Sequence, residues 1–367
     1  MGKVSLVKTN EGVKESLCKA IDLVGGLNHF VLKSDRVLLK PNLNGLEGYT
    51  NKDLVEALIQ LLIDFSVKKI FMAEATFGSA QMTDMFFEKT GFAELARKYN
   101  LELINLNKSQ PIEVKVKNPL LMEKLRIAKE IFEADKIINL PNMKVHYATG
   151  ITLALKNLKG ILVGDEKKRF HEMGLEKAIV DLNNTIEPHL NIVDCISCME
   201  GMGPRGGDLV ELNLIMAGAS SVEVDYIGSR IMGYDVSEVR HLDYSIESKG
   251  IDVSMIEIVG ERVEDVSYPF KKVSLERVIP AEFKVHDRNS CSSCMNAFLL
   301  SCQLLEQHRP ENINVYMGEL VELDAASNDL KIAFGNCCPR DIGFDMRING
   351  CPPYPFALRD RLKANQA

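Results

Sequence analysis

The chain has 367 residues, of which 46% are hydrophobic and 26% are charged, and its formal net charge is -7. This length exceeds what one hydrophobic core usually holds, so the sequence predicts at least two domains. The acidic balance argues against nucleic-acid binding, and no apolar run is long enough to span a membrane. Nine cysteines, including the isolated Cys18, do not resemble a disulfide framework and predict a cytoplasmic location.

Strands alternate with helices along the first hundred residues. Apolar runs typical of strands occupy residues 3–8, 36–40, 69–73 and 101–105. Segments with helical spacing lie between them, at residues 13–24, 51–65 and 82–99. This alternation predicts an α/β fold, with a mostly parallel sheet covered by helices on both faces. Ligands in such folds bind beyond the C-terminal ends of the strands. Lys40 ends the second strand, and Asn42 follows it after Pro41.

A strand and a helix are also predicted in the middle of the chain. Residues 134–140 have the pattern of a strand that ends in a turn at Pro141, and residues 148–158 have helical spacing. One face of this helix would be a polar stripe that consists of Thr149, Thr152, Lys156 and Lys159. Such a stripe is either a plain solvated face or one wall of a binding site.

The second interpretation is a site for a phosphate or carboxylate. Lys144, His146, Thr149 and Lys156 cluster where the strand gives way to the predicted helix, and helix N-termini favour anions. His146 could also move a proton, since the ordinary pKa of histidine lies near neutrality. Lys144, His146 and Lys156 are therefore the candidate catalytic residues.

Two further features lie in the second half of the larger domain. The glycine-rich loop at 200–208 could approach an anion closely with Arg205 as its charge, or it could be a flexible connection. Cys195 and Cys198 form a C-x-x-C that is either a redox or metal pair or a partly buried pair.

Cysteines near the end of the chain predict a soft-metal site. Cys291 and Cys294 form a C-x-x-C at the start of an apolar helix, whose dipole lowers thiol pKa values. Cys337, with Cys338 as the alternative, follows a predicted strand, and Cys351 follows another. Sulfur-only sites bind zinc or an iron-sulfur cluster. One C-x-x-C with two single cysteines favours a cluster over a structural zinc, which usually has two such pairs.

The order C-x-x-C, Gly-x-Cys and Gly-Cys-Pro-Pro-x-Pro resembles the proximal 4Fe-4S site of nickel-iron hydrogenase small subunits. The resemblance is limited to the end of the chain, and it implies that Cys291, Cys294, Cys337 and Cys351 are the cluster ligands. Cys302, on the helix after the C-x-x-C, is expected to be a small core residue.

Four other segments resemble the domain-of-unknown-function family number 362. They are Leu-Leu-Lys-Pro-Asn-Leu at 38–43, Asn-Leu-Pro-Asn-Met-Lys-Val-His at 139–146, Thr-Leu-Ala-Leu-Lys-Asn-Leu-Lys-Gly at 152–160 and Met-Glu-Gly-Met-Gly-Pro at 199–204. Members of that family often carry iron-sulfur cysteines, but the family name gives no reaction. The resemblance implies importance for Lys40, Asn42, Lys144, His146, Lys156 and Asn157. The candidate anion-binding residues are Lys40, Asn42, Thr149, Asn157 and Arg205.

These patterns predict an α/β domain at 1–280, with a further break near either 107–130 or 187–208, and a cysteine-rich cluster domain at 281–367. The expected function is an iron-sulfur oxidoreductase that passes electrons to an anionic substrate or cofactor, together with a redox partner protein. The alternatives are a cluster-bearing binding or maturation module without catalysis, and a transferase or ligase with a structural metal such as zinc.

Overall fold

The computed structural model describes residues 2–76, 79–288, 290, 292–305, 312–319, 323 and 329–366. Cys291, a predicted metal ligand, lies outside the described residues. The chain divides into two compact units, Met1–Val273 and Ser274–Ala367.

The first unit alternates strands with helices. Its strands are β1 (Lys3–Lys8), β2 (Arg36–Pro41), β3 (Lys69–Glu74), β4 (Glu102–Asn105), β5 (Pro111–Lys115), β6 (Lys124–Ala128), β7 (Lys136–Leu140), β8 (Asn142–His146), β9 (Gly150–Thr152), β10 (Leu190–Glu200), β11 (Asp208–Gly218) and β12 (Glu257–Gly260). Its helices are α1 (Val13–Leu23), α2 (Leu27–Phe30), α3 (Lys52–Phe65), α4 (Ala80–Lys89), α5 (Phe92–Lys98), α6 (Ala154–Asn157), α7 (Glu166–Met173), α8 (Leu175–Thr185), α9 (Ser221–Ile231), α10 (Arg240–Lys249) and α11 (Val263–Val266). In the described part of the chain, no helix has both the length and the apolar character needed to cross a membrane.

Ten of these described strands form one sheet in which most neighbours run parallel. Eight follow the order β12-β1-β11-β10-β7-β2-β3-β4, and β8 and β9 extend from β10. The pairs β2 with β3, β2 with β7 and β7 with β10 are parallel, whereas β11 is antiparallel to both neighbours. β5 and β6 form a separate antiparallel hairpin. The predicted mostly parallel α/β sheet is therefore confirmed.

Hydrophobic cores lie on both faces of this sheet. On β2, Val37 and Leu39 belong to one core, and Leu38 between them belongs to the other. On β3, Phe71 and Met72 separate in the same way. Strands that are buried on both faces have continuous apolar sequences. The charged residues at their C-terminal ends break this pattern, and hydrophobic packing does not account for them.

The segment after β8 is not the single helix that the sequence predicts. β8 and β9 pair as an antiparallel hairpin in which His146 lies opposite Gly150. Gly150 has a φ of +73°, and a Cβ there would lie 3.1 Å from the carbonyl oxygen of Glu238. Such a left-handed residue suits a turn and not a helix interior. The prediction of one helix over 148–158, with a polar stripe, is therefore wrong, because helical structure is confined to α6 and a 3-10 turn at Leu158–Ile161.

The predicted helix over 82–99 is also interrupted. It consists of α4 and α5, which are separated at Gly91, where φ is +81°. Buried side chains occur on both sides of the break, at Phe87 and Phe92 for example. Because apolar positions continue across the break, apolar periodicity alone predicts one helix where the structure has two.

Cys195 and Cys198 lie within β10. Residues three apart on a regular strand point to opposite faces, but a β-bulge between Cys195 and Ser197 brings both thiols into the same core. Both side chains are fully buried, and burial raises the pKa of Cys198 well above its ordinary value. A buried thiol with a raised pKa is unreactive, which favours the interpretation of a buried pair.

The second unit has a four-stranded sheet, within its described residues, in which all neighbours are parallel. Its elements are α12 (Leu275–Val278), β13 (Phe283–Arg288), α13 (Ser292–Gln303), β14 (Ile313–Gly318), β15 (Leu330–Phe334), β16 (Met346–Ile348) and α14 (Pro355–Gln366). The strand order is β13-β14-β15-β16. Because the strands are parallel, the segments that follow β13, β15 and β16 leave the same edge of the sheet.

Candidate functional site

Lys40 is fully buried at the C-terminal end of β2, and three acceptors hold its ammonium group. Its Nζ donates to a carboxylate oxygen of Glu74 and to the carbonyl oxygens of Pro41 and Asn157, the latter two at 3.0 Å. Burial lowers the pKa of Lys40 and raises that of Glu74, and the ion pair opposes both shifts. A Cβ on Gly160 would lie 1.9 Å from Glu74 Oε1. Lys40 is a predicted anion-binding residue, but its ammonium group already bonds to β2, β3 and α6 and joins these elements.

A chain of side-chain amides crosses the ends of the central strands. Lys144 Nζ donates to Asn42 Oδ1 at 2.6 Å, and Asn42 Nδ2 donates to Asn157 Oδ1 at 2.9 Å. Asn157 Nδ2 donates to Asn139 Oδ1 at 2.8 Å, and Asn139 Nδ2 donates to Asn191 Oδ1 at 2.9 Å. Every link runs in the same direction, so each amide fixes the orientation of the next. Asn42 and Asn157, which the sequence predicts as binding residues, therefore position Lys144.

Lys144, on β8, is fully buried, and Asn42 is its one hydrogen-bond acceptor among the described residues. Burial and then the nearby Arg205 lower the pKa of Lys144 to about 7, against the opposing effect of Asp194. The ordinary value is 10.5, so much of Lys144 is a neutral amine at pH 7. Arg205 itself donates to the backbone and side-chain oxygens of Asn44, at 2.6 and 2.8 Å. Its guanidinium is therefore anchored to the loop after β2.

His146, the last residue of β8, is a neutral imidazole. Its Nδ1 accepts a hydrogen bond from the backbone N–H of Ala148 at 3.0 Å, which assigns the ring proton to Nε2. Burial, together with the nearby Lys156 and Lys159, holds the pKa of His146 well below its ordinary range. His146 can therefore donate a hydrogen bond from Nε2 to a ligand at neutral pH without carrying a charge.

Lys156 lies on α6, a single helical turn that its neighbours hold in place. The two carboxylate oxygens of Asp225 accept hydrogen bonds from the backbone N–H groups of Ala154 and Leu155, at 2.7 and 3.0 Å. Burial raises the pKa of Asp225 to about 8. On the other side of α6, the side chain of Asn139 donates to the carbonyl oxygen of Ala154 at 3.0 Å. The backbone of Lys156 is thus fixed from two directions.

Basic side chains from several elements lie within electrostatic reach of Lys156. We call this group the basic cluster, and its members are His146, Lys156, Lys159, His171 and His241. Lys159 Nζ and His171 Nε2 lie 2.7 Å apart. Burial, followed by Lys159 and Lys144, lowers the pKa of Lys156 well below that of an ordinary lysine. Burial and then Lys156 lower the pKa of His241 to about 3. The basic cluster therefore combines cationic and neutral nitrogen groups.

The basic cluster includes two residues that sequence reasoning missed. His171 comes from α7 and His241 from α10, and α8 packs against both helices and against α6. A lone histidine in a helix gives no local signal of function, so only this packing could have identified them. His241 is fully buried, and neither ring nitrogen has a hydrogen-bond partner among the described residues.

Thr149 differs from the other predicted binding residues. It lies in the turn of the β8–β9 hairpin, and its hydroxyl donates to the carbonyl oxygen of Ile151 at 3.1 Å. Lys144, His146 and Lys156, by contrast, lie close enough to one another for Lys144 to shift the pKa of Lys156 and for Lys156 to shift that of His146. Of the predicted site residues, these three lie near one another, and each has a side-chain group that could contact a ligand.

In the second unit, cysteines occur on three segments that leave the same edge of the sheet. Cys294 lies in the first turn of α13 after β13, Cys337 follows β15, and Cys351 follows β16. A Cβ on Gly335 would lie 3.1 Å from Cys294 Sγ, so the first segment approaches the second. The loops after β15 and β16 are joined by hydrogen bonds.

Two other described cysteines of this unit, Cys302 and Cys338, point into its interior. Cys338 Sγ donates to the carbonyl oxygens of Tyr316 and Phe334, at 3.2 and 3.7 Å, and burial raises the pKa of Cys338. Cys302 belongs to the hydrophobic core, as expected from the sequence. Among the described residues, which omit Cys291, no group of three or more histidine, cysteine or carboxylate side chains lies close enough to hold a metal ion.

The fold and the site define a two-unit α/β protein with buried lysines and histidines beside the ends of its central strands. Residues 37–230, which include every predicted site residue of the first unit, match the family described as "Domain of unknown function (DUF362)". The chain is also 30% identical, over 235 residues, to a thylakoid-associated protein of Synechocystis sp., covering 61% of this chain and 71% of that protein. The chain therefore belongs to the DUF362 family.

Two solved structures share a more distant likeness. One is a Thermotoga maritima protein, at 15% identity and a TM-score of 0.39, covering 83% of this chain and 70% of that one. The other is the lactate racemase apoprotein of Thermoanaerobacterium thermosaccharolyticum, at 13% identity and a TM-score of 0.41, covering 86% of this chain and 69% of that one.

Proposed function

We propose that the protein is an iron-sulfur oxidoreductase that acts on a small anionic substrate. Its first unit would bind the carboxylate or phosphate of the substrate with Lys144, His146 and Lys156. Its second unit would hold a 4Fe-4S cluster. The observation that carries the proposal is the presence of two neighbouring buried lysines, Lys144 and Lys156, neither of which forms an ion pair among the described residues.

The energetics of these lysines support an anionic ligand. A buried ammonium group without a counter-charge costs several kcal/mol, and the pKa shifts of Lys144 and Lys156 are the expected response. A bound anion would supply the missing charge and raise both pKa values again. The Nε2–H of His146 adds a neutral donor, so the three residues offer hydrogen bonds to several oxygens of one ligand.

The chemistry of the cysteines in the second unit supports an iron-sulfur cluster, although the three described candidate ligands do not lie close enough together to form a metal site without it. Cys291, Cys294, Cys337 and Cys351 would bind it, because Cys338 already donates its thiol hydrogen to backbone carbonyls. All four donors are sulfur, which is the ligand type that such clusters take. When bound, a cluster of this kind exchanges single electrons. The helix that begins beside Cys294 favours the thiolate form that metal ligation requires.

Anaerobic purification tests the cluster. The native protein is expected to be brown, to contain iron and acid-labile sulfide, and to bleach with dithionite. Cys351→Ser should lose most of the iron, whereas Cys338→Ala should keep it, with Cys18→Ser of the first unit as the control. A colourless native protein that contains stoichiometric zinc would show that the metal is structural and that the electron-transfer proposal is wrong.

Isothermal calorimetry tests the anion site separately. The probes are inorganic phosphate, lactate and pyruvate, each titrated into the full chain. Lys144→Met and Lys156→Met should each weaken binding at least about tenfold, the loss expected for one charge-assisted hydrogen bond. Lys117→Met, which removes an exposed lysine, should bind as the native protein does. If the native protein binds none of the three anions, the basic cluster is not a site for these ligands.

A further inference from the structure

The amine of Lys156 differs from those of the other fully or largely buried lysines. Lys40 donates to three acceptors, Lys144 donates to an asparagine, and Lys167 donates to two backbone carbonyls. Lys156 is 7% exposed, and no acceptor contacts its Nζ among the described residues. Folding usually satisfies a buried donor because leaving it unpaired is unfavourable. The unpaired nitrogen of Lys156 is not itself sealed from solvent, so it is accessible to a ligand and available for chemistry.

The surroundings of Lys156 favour the neutral, nucleophilic form of the amine. The titratable groups that act on it are Lys144, Lys159 and Glu176. Lys156 in turn lowers the pKa values of His146, His171 and His241. Glu176 raises the pKa of Lys156, whereas burial, Lys159 and Lys144 lower it. A lysine desolvated next to other cationic groups is an activated nucleophile for carbonyl carbon.

We propose that Lys156 forms an imine with the carbonyl group of a small oxo acid, whose carboxylate is bound by the neighbouring lysines. This inference rests on the anionic substrate proposed above and names its chemical class. Nζ attacks the carbonyl carbon, a C–N bond forms, and the carbonyl π electrons move to the oxygen. Two protons leave the nitrogen and reach the oxygen, which departs as one water molecule and leaves a C=N bond. No oxidant or reductant is consumed.

Two neutral histidines can donate hydrogen bonds during this step. The Nε2–H of His146 can stabilise the negative charge that develops on the carbonyl oxygen. His241 has two ring nitrogens without partners in the described part of the chain, and its neutral ring carries one N–H that can donate to the departing oxygen. Both histidines are neutral at pH 7 because burial and the lysines lower their pKa values.

Borohydride trapping tests the imine. The full chain, purified anaerobically, is incubated with pyruvate and then reduced, which converts an imine into a stable secondary amine. Intact mass spectrometry should show one reduced pyruvyl adduct, and peptide mapping should place it on Lys156. Lys156→Met and Lys156→Arg should lose at least about nine-tenths of the adduct, while Lys117→Met should retain it.

The outcomes separate this inference from the proposed anion site. Equal labelling of Lys156→Met and native protein would contradict the inference, as would the absence of an adduct with pyruvate, 2-oxoglutarate and acetoacetate. If lactate and phosphate still bind in calorimetry when no adduct forms, the anion site stands and only the imine is wrong. Lys156→Met is expected to fold, as judged by circular dichroism, because methionine fills a similar volume without a buried amine.

Discussion

Two lysine amines beside α6 lie in opposite electrostatic settings. At its C-terminal end, the carbonyl of Asn157 accepts from Lys40, whose charge is balanced by Glu74. One residue earlier, Lys156 faces other basic groups and forms no ion pair within the described residues. Both side chains are buried in the same unit of the same fold. Burial alone therefore does not separate the two lysines, but the presence or absence of an acceptor does.

The largest effect is expected from breaking the Lys40–Glu74 pair. Lys40→Met leaves the carboxylate of Glu74 buried without its partner, which should lower the free energy of unfolding by about 3–5 kcal/mol. The double variant Lys40→Met/Glu74→Leu removes both charges and should recover part of that loss. Urea denaturation followed by circular dichroism measures both. A loss below about 1 kcal/mol for Lys40→Met would mean that the pair is not structural.

An intermediate effect is expected from Lys144 and depends on pH. Its pKa is about 7 in the folded protein and 10.5 ordinarily, so between these values the unfolded chain binds more protons than the folded one. Stability should therefore rise with pH across this window, by at most about 1.4 kcal/mol per pH unit for this group. Lys144→Met should show a shallower rise. The measurement is urea denaturation of both proteins at several pH values from 6 to 10.

Lys167 has the same pKa shift and is present in both proteins, so its contribution cancels in that comparison. Parallel stability profiles for the native protein and Lys144→Met would argue that Lys144 keeps its proton in the folded state.

The smallest effect is expected from Lys156→Met, and its sign is opposite to that of Lys40→Met. Because the native amine is desolvated without a partner, its replacement by an apolar side chain should raise stability, by about 1 kcal/mol. Thermal unfolding measures this as an increase in Tm of a few degrees. A destabilisation as large as that of Lys40→Met would identify Lys156 as a structural residue and remove the contrast between the two lysines.

Local sequence patterns were sufficient for some parts of the site and misleading for others. The apolar run of β2 and the proline after Lys40 correctly place that lysine at a strand end. The helix expected over 148–158 was wrong because a helix and a short hairpin can share apolar positions, and the deciding feature was the left-handed conformation of Gly150. For Cys195 and Cys198, one β-bulge decided which core they enter.

The sequence by itself determined the α/β class and the strand ends that carry polar residues, because each depends on residues that are neighbours in the chain. Only the tertiary structure decided which lysine is neutralised and which remains unpaired. Glu74 lies 34 residues from Lys40, and the carbonyl of Asn157 lies 117 residues away. Charge balance in a protein interior is set by groups that folding brings into contact. These groups are far apart in the sequence, so local sequence patterns do not predict the contact.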